Sequence, residues 1–254
     1  MAGIDKTLVQ RRFRRSAASY RKAALVQRET AGKLLDHFHL AAGEREFERI
    51  LEIGAGDGVL TELVETRFDY RELVLLDLVP EWEPFHRERP RCRFLAGDVE
   101  TVELPGPFDL ILSNAVFQWV EDLDRLFLRL AEALRPGGWL GFSTFGPANL
   151  REIAELTGRG LRYPDPAELD ARLGSRFEPV ARHEELHRLE FDSPLEILRH
   201  LKATGVTATG VPARWTGANL RSFEEEYRKF RLDNGRFPLT YHPILYIARK
   251  RQTT

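Results

Sequence analysis

A glycine-rich loop that follows an apolar run is the part of this sequence best suited to hold a ligand. Its glycines are Gly54, Gly56 and Gly58, with Asp57 inside the loop and Glu52 just before it. Glycine at a strand-to-helix turn lets the backbone bend sharply and approach a ligand closely. The spacing is one residue shorter than the dinucleotide fingerprint Gly-x-Gly-x-x-Gly. Because carboxylates beside the loop would repel a pyrophosphate, they favour a cationic amino-acid group instead.

Polar residues also follow the next three apolar runs. Asp77 comes 19 residues after Gly58, Asp98 follows a third run, and Asn114 follows a fourth. An acid at the end of the second strand can accept hydrogen bonds from both hydroxyls of a ribose. The carboxylate of Asp98 could accept a hydrogen bond from the amino group of adenine. Each feature alone could be a tight turn or a helix cap. Together they predict a site for a nucleoside with a methionine-like tail, which is S-adenosylmethionine.

The spacing of apolar residues predicts the elements that must position these side chains. Short apolar runs alternate with amphipathic stretches, which indicates an α/β fold with a parallel, doubly wound sheet and helices on both faces. In such a sheet, ligands bind outside the carboxyl ends of the strands. The segment 177–191 fits no single element. The predicted strands are 49–53, 73–77, 93–96, 108–113, 139–144 and 242–248, and the predicted helices are 6–37, 58–66, 123–134, 149–156, 165–173, 194–203 and 219–232.

Composition excludes several classes of protein. The 254 residues are 43% hydrophobic and 30% charged with a formal net charge of −1, which disfavours disorder and tight binding to nucleic acid. The only cysteine, Cys92, excludes an internal disulfide and a cysteine-rich zinc site. We expect no secretory signal and no membrane span, and therefore a cytoplasmic protein. Residues 1–28 nevertheless hold eight Lys or Arg against one acid, a net +7, which suits either a solvated helix face or an acidic partner.

The sequence resembles the class I S-adenosylmethionine-dependent methyltransferases, and more narrowly the malonyl-acyl-carrier-protein O-methyltransferases of biotin synthesis. The general resemblance covers 48–145. The narrower one rests on short motifs at 13–20, 96–100, 113–119, 142–147, 201–205 and 237–242. It implies one Rossmann-like domain over 1–254 with an antiparallel last strand, an N-terminal helical cap over 1–40 and a helical insertion on the substrate side over 193–237.

The resemblance also implies roles for particular residues. The cofactor would be S-adenosylmethionine, converted to S-adenosylhomocysteine, without a metal. The partner would be acyl carrier protein bearing a malonyl group, with no nucleic acid and no membrane. The residues expected to bind the cofactor are Glu52, Gly54, Ala55, Gly56, Asp57, Gly58, Asp77, Leu78, Asp98, Val99, Asn114 and Ala115; those expected around the reacting groups are Tyr20, Gln118, Trp119, Lys202, Tyr241 and His242; and those expected to contact the carrier protein are Arg11, Arg12, Arg14 and Arg15.

The chemistry implied by the resemblance suits the sequence. A carboxylate is already ionised at pH 7, so methylation needs no strong general base. Catalysis then consists mainly of aligning oxygen, methyl and sulfur and excluding water. Tyr20 would line the transfer site or merely pack its helix, and Trp119 would wall the acyl pocket or belong to the core. Lys202, Tyr241 and His242 are candidates for holding the malonyl end.

Other functions remain open at this point. Methylation of a quinone or another small acid would use the same cofactor half. A nicotinamide oxidoreductase is disfavoured by the glycine spacing, and a non-catalytic nucleoside-binding module by the full set of site residues. His183 and His187 match the zinc-hydrolase pattern His-Glu-x-x-His. On a helix these histidines could share a metal, whereas on a strand they would lie about 13 Å apart.

Overall fold

The computed structural model describes residues 4–158, 160–206 and 217–252. Within these ranges the chain forms helices α1–α8 and strands β1–β9, which build one large sheet and one small sheet. Its elements are α1 (Lys6–Ala23), α2 (Leu25–Ala42), β1 (Glu46–Ile53), α3 (Val59–Arg67), β2 (Asp69–Asp77), β3 (Cys92–Ala96), β4 (Phe108–Ser113), α4 (Leu123–Ala133), β5 (Leu134–Phe145), α5 (Arg151–Thr157), α6 (Pro166–Gly174), β6 (Phe177–Glu184), β7 (His187–Phe191), α7 (Pro194–Ala203), α8 (Gly217–Tyr227), β8 (Phe237–Tyr241) and β9 (Pro243–Lys250).

The large sheet confirms the predicted doubly wound topology. Its seven strands lie in the order β3-β2-β1-β4-β5-β9-β6. The first five strands are parallel, and β9 runs antiparallel between β5 and β6. Ile53 lies opposite both Leu76 and Ser113, so that β1, β2 and β4 end at the same edge. The polar residues that follow these strands are therefore brought together at that edge.

Apolar side chains cover both faces of the sheet, as expected for a parallel sheet between helices. On one face, Phe142 is fully buried and stacks between Phe117, at 4.6 Å between ring centroids, and Tyr246, at 5.1 Å. On the other face, Leu34 and Phe38 of α2 are fully buried against the sheet. Helix α2 is therefore part of the core, whereas α1 makes other contacts.

The prediction of one continuous helix over 6–37 is wrong, because the structure contains two helices that meet at Ala24. The backbone of Ala24 leaves the helical region at φ −81° and ψ 51°. Asp5 caps the start of α1 by accepting a hydrogen bond from the backbone N–H of Leu8 at 2.9 Å. The break turns α1 away from α2, and α1 then packs on α7 and over the carboxyl edge of the sheet.

The segment 177–191 forms two strands that belong to different sheets. Strand β6 pairs with β9, and β7 pairs with β8 in the two-stranded sheet. Helices α7 and α8 lie within the predicted insertion, of which residues 207–216 fall outside the described residues. The predicted helix over 219–232 ends earlier, at Tyr227, and a short 3-10 turn follows it. Among the described residues, no helix combines the length and apolar character needed to cross a lipid bilayer.

Replacing Phe142 tests how far stability depends on the aromatic stack. We expect Phe142→Ala to lower the free energy of unfolding by about 3–5 kcal/mol, because the large cavity cannot collapse between two fixed rings. Phe85→Ala is a matched control, since Phe85 is 48% exposed. It should change stability by less than about 1 kcal/mol. Urea unfolding monitored by circular dichroism measures both, and an equal loss for the two variants would contradict this account.

Candidate cofactor and substrate site

The glycine loop between β1 and α3 has the conformation that its sequence predicted. Gly54, Gly56 and Gly58 all have positive φ angles, of 77°, 49° and 87°. At Gly54 a second constraint applies, because a Cβ atom would lie 2.1 Å from Cγ2 of Val116. The N–H of Gly54 donates to the carbonyl of Leu76 at 2.7 Å. Glycine at position 54 therefore lets the loop pack directly against the segment after β4.

Asp77, at the end of β2, holds this loop from the side. Its carboxylate accepts hydrogen bonds from the backbone N–H groups of Gly56, at 2.9 Å, and Val79, at 2.8 Å. Burial raises the pKa of Asp77 to about 6, although both hydrogen bonds oppose the shift. The carboxylate is thus placed at the second-strand position that suits a ribose, and it is ionised above about pH 6.

The loop and the strand ends line a large, partly open cleft. All the predicted cofactor residues except Glu52 and Gly58 contribute to its wall. Side chains from α1 and α2 close the opposite side, including Lys6, Phe13, Tyr20 and Gln27, of which only Tyr20 was predicted. The predicted residues that line the cleft are Gly54, Ala55, Gly56, Asp57, Asp77, Leu78, Asp98, Val99, Asn114 and Ala115.

Glu52 does not line the cleft, contrary to prediction. Side chains alternate along a strand, and Ile53 is the residue of β1 that faces the cleft. Glu52 is fully buried. Burial raises its pKa to about 8, and the nearby hydroxyl of Thr61 and the positive charge of Arg89 oppose this shift only in part. A direct contact between Glu52 and a ligand in the cleft is therefore not supported.

Asp57 fits a positively charged ligand. It is only 4% exposed, and its Oδ2 atom has no hydrogen-bond partner. Burial raises its pKa, and the nearby charge of Arg21 lowers it in part. An unpaired buried carboxylate oxygen is costly unless a ligand supplies a donor. The ammonium group of the amino-acid part of S-adenosylmethionine has the charge and the donors that this position lacks.

Helix α1 is held across the cleft by polar contacts at several points. Lys6 forms ion pairs with Asp98 and Glu100. The amide of Gln10 donates to the carbonyl of Leu78 at 3.1 Å. Arg14 lies 3.1 Å from the carboxylate of Glu81. The helix therefore forms a wall of the site. The opening motif suggested such a wall, but it gave no sign of the part that Lys6 plays.

A second, smaller and narrower cavity adjoins the cleft. Tyr20 and Trp119 line both spaces and therefore lie at their junction. Of the other residues predicted around the reacting groups, Gln118 and Tyr241 also line the second cavity. Asn149 and Tyr163 belong to its wall as well, although no pattern in the sequence singled them out.

The structure does not bring Lys202 or His242 into either space. Lys202 lies on the last turn of α7 with an exposed side chain. The ring Nδ1 of His242 accepts a hydrogen bond from the backbone N–H of Ala148 at 3.3 Å, and its Nε2 lies 3.8 Å from Glu184. His242 thus fastens the turn after β5. The motif matches located both residues near the site but could not give the direction of their side chains.

The hydroxyl groups of the second cavity are uncharged donors and acceptors. The hydroxyl of Tyr241 lies 2.8 Å from Nε2 of His200, which packs behind it. Burial lowers the pKa of His200 to about 4, so this imidazole is neutral at pH 7. Burial and the charges of Asp57 and Asp77 raise the pKa of Tyr20 above its ordinary value, and its hydroxyl therefore keeps its proton.

The four arginines predicted to contact a carrier protein have different environments. Arg11 and Arg15 are exposed, whereas Arg14 is exposed but paired with Glu81. Arg12 is half-buried, and its Nη1 atom is buried without a hydrogen-bond partner. Desolvation lowers the pKa of Arg12. These arginines therefore do not form one uniform surface.

The zinc-hydrolase interpretation of His183 and His187 is not supported. His183 lies on β6 and His187 begins β7, so the two are not on one helix. Glu185 lies between them, 2.8 Å from Nε2 of His187, and also accepts from Lys33 at 2.7 Å. Within the part of the chain that the structure describes, no three His, Cys, Asp or Glu side chains come together as a metal site.

Asp77 provides a direct test of the cleft. We expect Asp77→Asn to weaken binding of S-adenosylhomocysteine by about tenfold to a hundredfold, because charge-assisted hydrogen bonds are lost. In the unmodified protein, affinity should fall as the pH drops below about 6, since protonation removes the charge of Asp77. In the variant this decrease should be weaker. Titration calorimetry from pH 5 to 8 measures both, with the exposed helix cap Asp122→Asn as the control. Unchanged affinity in Asp77→Asn would contradict the assignment.

Comparison with known proteins identifies the family. A family model described as a methyltransferase domain matches residues 26–207. The chain is 42% identical to a malonyl-[acyl-carrier protein] O-methyltransferase of Chlorobium phaeovibrioides, over 99% of this chain and all of the relative. It is 39% identical to the enzyme of that name from Porphyromonas gingivalis, over 97% of this chain and 96% of the relative. It is 36% identical to the enzyme of that name from Acinetobacter baylyi, over 97% of this chain and 98% of the relative.

Solved structures confirm the fold. A putative methyltransferase from Bacillus halodurans superposes with a TM-score of 0.63 at 15% identity, covering 88% of this chain and 100% of the other. The N-methyltransferase NodS of Bradyrhizobium japonicum, in complex with S-adenosyl-L-homocysteine, gives a TM-score of 0.52 at 17% identity, covering 89% and 87%. The predicted Rossmann-like class I methyltransferase fold is therefore confirmed. The chain is a methyltransferase and belongs to the malonyl-[acyl-carrier protein] O-methyltransferase family.

Proposed function

We propose that this protein transfers the methyl group of S-adenosylmethionine to the free carboxylate of a malonyl thioester on acyl carrier protein. The observation that carries the proposal is the similarity to relatives of that name along almost the entire chain, including 42% identity over 99% of it. This span includes α1 and α7, which a general cofactor domain does not require. The resulting methyl ester would hide the acid, so that fatty-acid enzymes could elongate it toward pimelate for biotin.

The acids of the cleft are the residues that would hold the cofactor. Asp77 would accept hydrogen bonds from the ribose hydroxyls, and Asp98 would accept one from the adenine amino group. The unpaired oxygen of Asp57 would accept a hydrogen bond from the ammonium group. When bound, the cofactor would supply a methyl group on a sulfonium, from which the neutral thioether of S-adenosylhomocysteine is a good leaving group. Because Asp98 already pairs with Lys6, adenine would share this carboxylate with Lys6 or displace it.

The remaining task of the chain is to position the carboxylate and to exclude water. The substrate is already ionised at pH 7, so no residue has to remove a proton. Tyr20 lies at the junction of the two spaces, where it can donate a hydrogen bond to the incoming carboxylate. Helix α1 covers the same junction and separates it from bulk water. Positioning of this kind accounts for a large part of the rate in a two-substrate transfer.

We also propose that a basic surface on α1 binds the acidic carrier protein. Arg11, Arg15 and Lys22 are exposed, and their spacing places them on one face of the helix. Helix α7 packs beside this face, since the hydroxyl of Ser19 donates to the carbonyl of Ala203 at 3.1 Å. The exposed Lys202 on α7 would extend the same surface. Lys202 would then serve the partner rather than the malonyl group.

The reaction is tested by methyl transfer from labelled S-adenosylmethionine. We expect a labelled ester with malonyl-acyl carrier protein, and little or none with the acetyl and succinyl carriers. Acetyl lacks a free carboxylate, and succinyl places its carboxylate one carbon further away. Malonyl-coenzyme A serves as the carrier-free comparator. Binding of the cofactor without any ester would overturn the proposal and direct the search to quinones and other small acids.

The basic surface is tested by the double variant Arg11→Glu and Arg15→Glu. We expect the KM for malonyl-acyl carrier protein to rise several-fold, while the KM for malonyl-coenzyme A stays within about twofold, because only the protein presents an acidic surface. The difference should shrink at high salt, where exposed charges are screened. Arg71→Glu is the control, since Arg71 is exposed on β2 at the opposite edge of the sheet. Equal changes for both thioesters would refute this surface.

A further inference from the structure

We propose that the indole N–H of Trp119 binds the carboxylate of the substrate, so that a neutral donor holds the anion beside the cofactor cleft. This inference rests on the proposed function. Trp119 is only 8% exposed, and its Nε1 atom has no hydrogen-bond acceptor. By contrast, the buried Trp139 donates its N–H to Glu44 at 3.2 Å. A buried N–H without an acceptor is costly, and at a binding site it indicates that a ligand supplies the acceptor.

Trp119 is located where the two reactants must meet. It lines both the cofactor cleft and the second cavity. A donor at this junction can hold a carboxylate of the second cavity close to a methyl group in the cleft. The unpaired Oδ2 of Asp57, by contrast, lies among residues of the cleft alone. The unpaired acceptor of Asp57 thus lies in the cleft and the unpaired donor of Trp119 at its junction with the second cavity, as a cationic cofactor and an anionic substrate would require.

The position of Trp119 is fixed by rigid neighbours. It ends a 3-10 turn whose first residue, Phe117, is stacked on Phe142 in the core. The backbone N–H of Trp119 donates a hydrogen bond to the carbonyl of Val116 at 2.8 Å. The ring of Phe13 packs edge-on against the indole at 5.7 Å between centroids. Little side-chain entropy would therefore be lost when the indole binds a ligand.

A neutral donor suits this reaction because charge disappears during it. The carboxylate and the sulfonium begin as opposite charges, and both are partly lost in the transition state. A lysine or arginine on the carboxylate would stabilise the starting anion more than the transition state and would slow the transfer. Among the described residues that line the second cavity there is no lysine, arginine or histidine. An N–H donor orients the anion at a smaller cost in reactivity.

The test is Trp119→Phe, which removes the N–H and keeps an aromatic wall. We expect the KM for malonyl-acyl carrier protein to rise on the order of tenfold to a hundredfold, as for the loss of a hydrogen bond to a charged group. The inhibition constant of the product, the malonyl methyl ester on the carrier, should change less than threefold, because the ester has no anion. Calorimetry with S-adenosylhomocysteine checks that the variant folds and keeps its cleft. Trp139→Phe is the matched control and should leave the ratio of the two constants unchanged.

The possible outcomes are distinct. Equal weakening of the acid and the ester would overturn the inference, since Trp119 would then be only a wall. If Trp119→Phe does not bind S-adenosylhomocysteine, Trp119→His assayed at pH 8 provides a ring N–H without a charge. That variant should keep the preference for the acid, and loss of the preference would also overturn the inference. If the unmodified protein forms no malonyl ester, the proposed function itself fails.

Discussion

The site depends on one constraint, which is that neighbouring parallel strands end at the same level. The pairing of Ile53 with Leu76 and with Ser113 sets this level. Burial maintains it, because a shift of one residue would turn buried apolar side chains toward the wrong face of the sheet. This alignment alone places Asp77 and Asn114 at the same edge of the sheet. The close contact between Gly54 and Val116 then joins the loop after β1 to the segment after β4 and closes the floor of the cleft.

The edge of the sheet becomes a site only when helices cover it. Helix α1 does so through contacts that are far apart in the sequence, such as Lys6 with Glu100 and Ser19 with Ala203. The break at Ala24 lets α2 remain in the core while α1 crosses the edge. Core packing and closure of the site are thus assigned to different helices. Because α2 supplies the apolar contacts to the core, the face of α1 that points to solvent can be polar without loss of buried apolar area.

The sequence predicted the sheet well because burial on both faces leaves a clear apolar pattern. It did not predict the break at Ala24, since alanine is the best helix former and only distant contacts favour the break. Strand β7 was not separated from β6 and strand β8 was not predicted, because their pairing across 46 to 54 residues leaves no local signal. The glycine turn and the strand-end positions of Asp77 and Asp98 were located correctly, because they depend on the backbone alone, whereas the roles of these residues toward a cofactor stay predictions. Glu52, Lys202 and His242 were placed differently, because the direction of a side chain is decided by packing that the sequence does not show.

The distribution of charge in the site now has a physical explanation. The carboxylates of Asp57 and Asp77 belong to the cleft, where burial raises the pKa of each. The negative charge there is costly without a ligand and favourable with a cationic one, so binding of the cofactor should stabilise the fold. The second cavity instead offers hydroxyl, amide and indole groups that carry no charge. Under the proposed function, each reactant would therefore meet an environment that stabilises its binding, while no fixed positive charge among the described residues of the second cavity would oppose the loss of charge in the transition state.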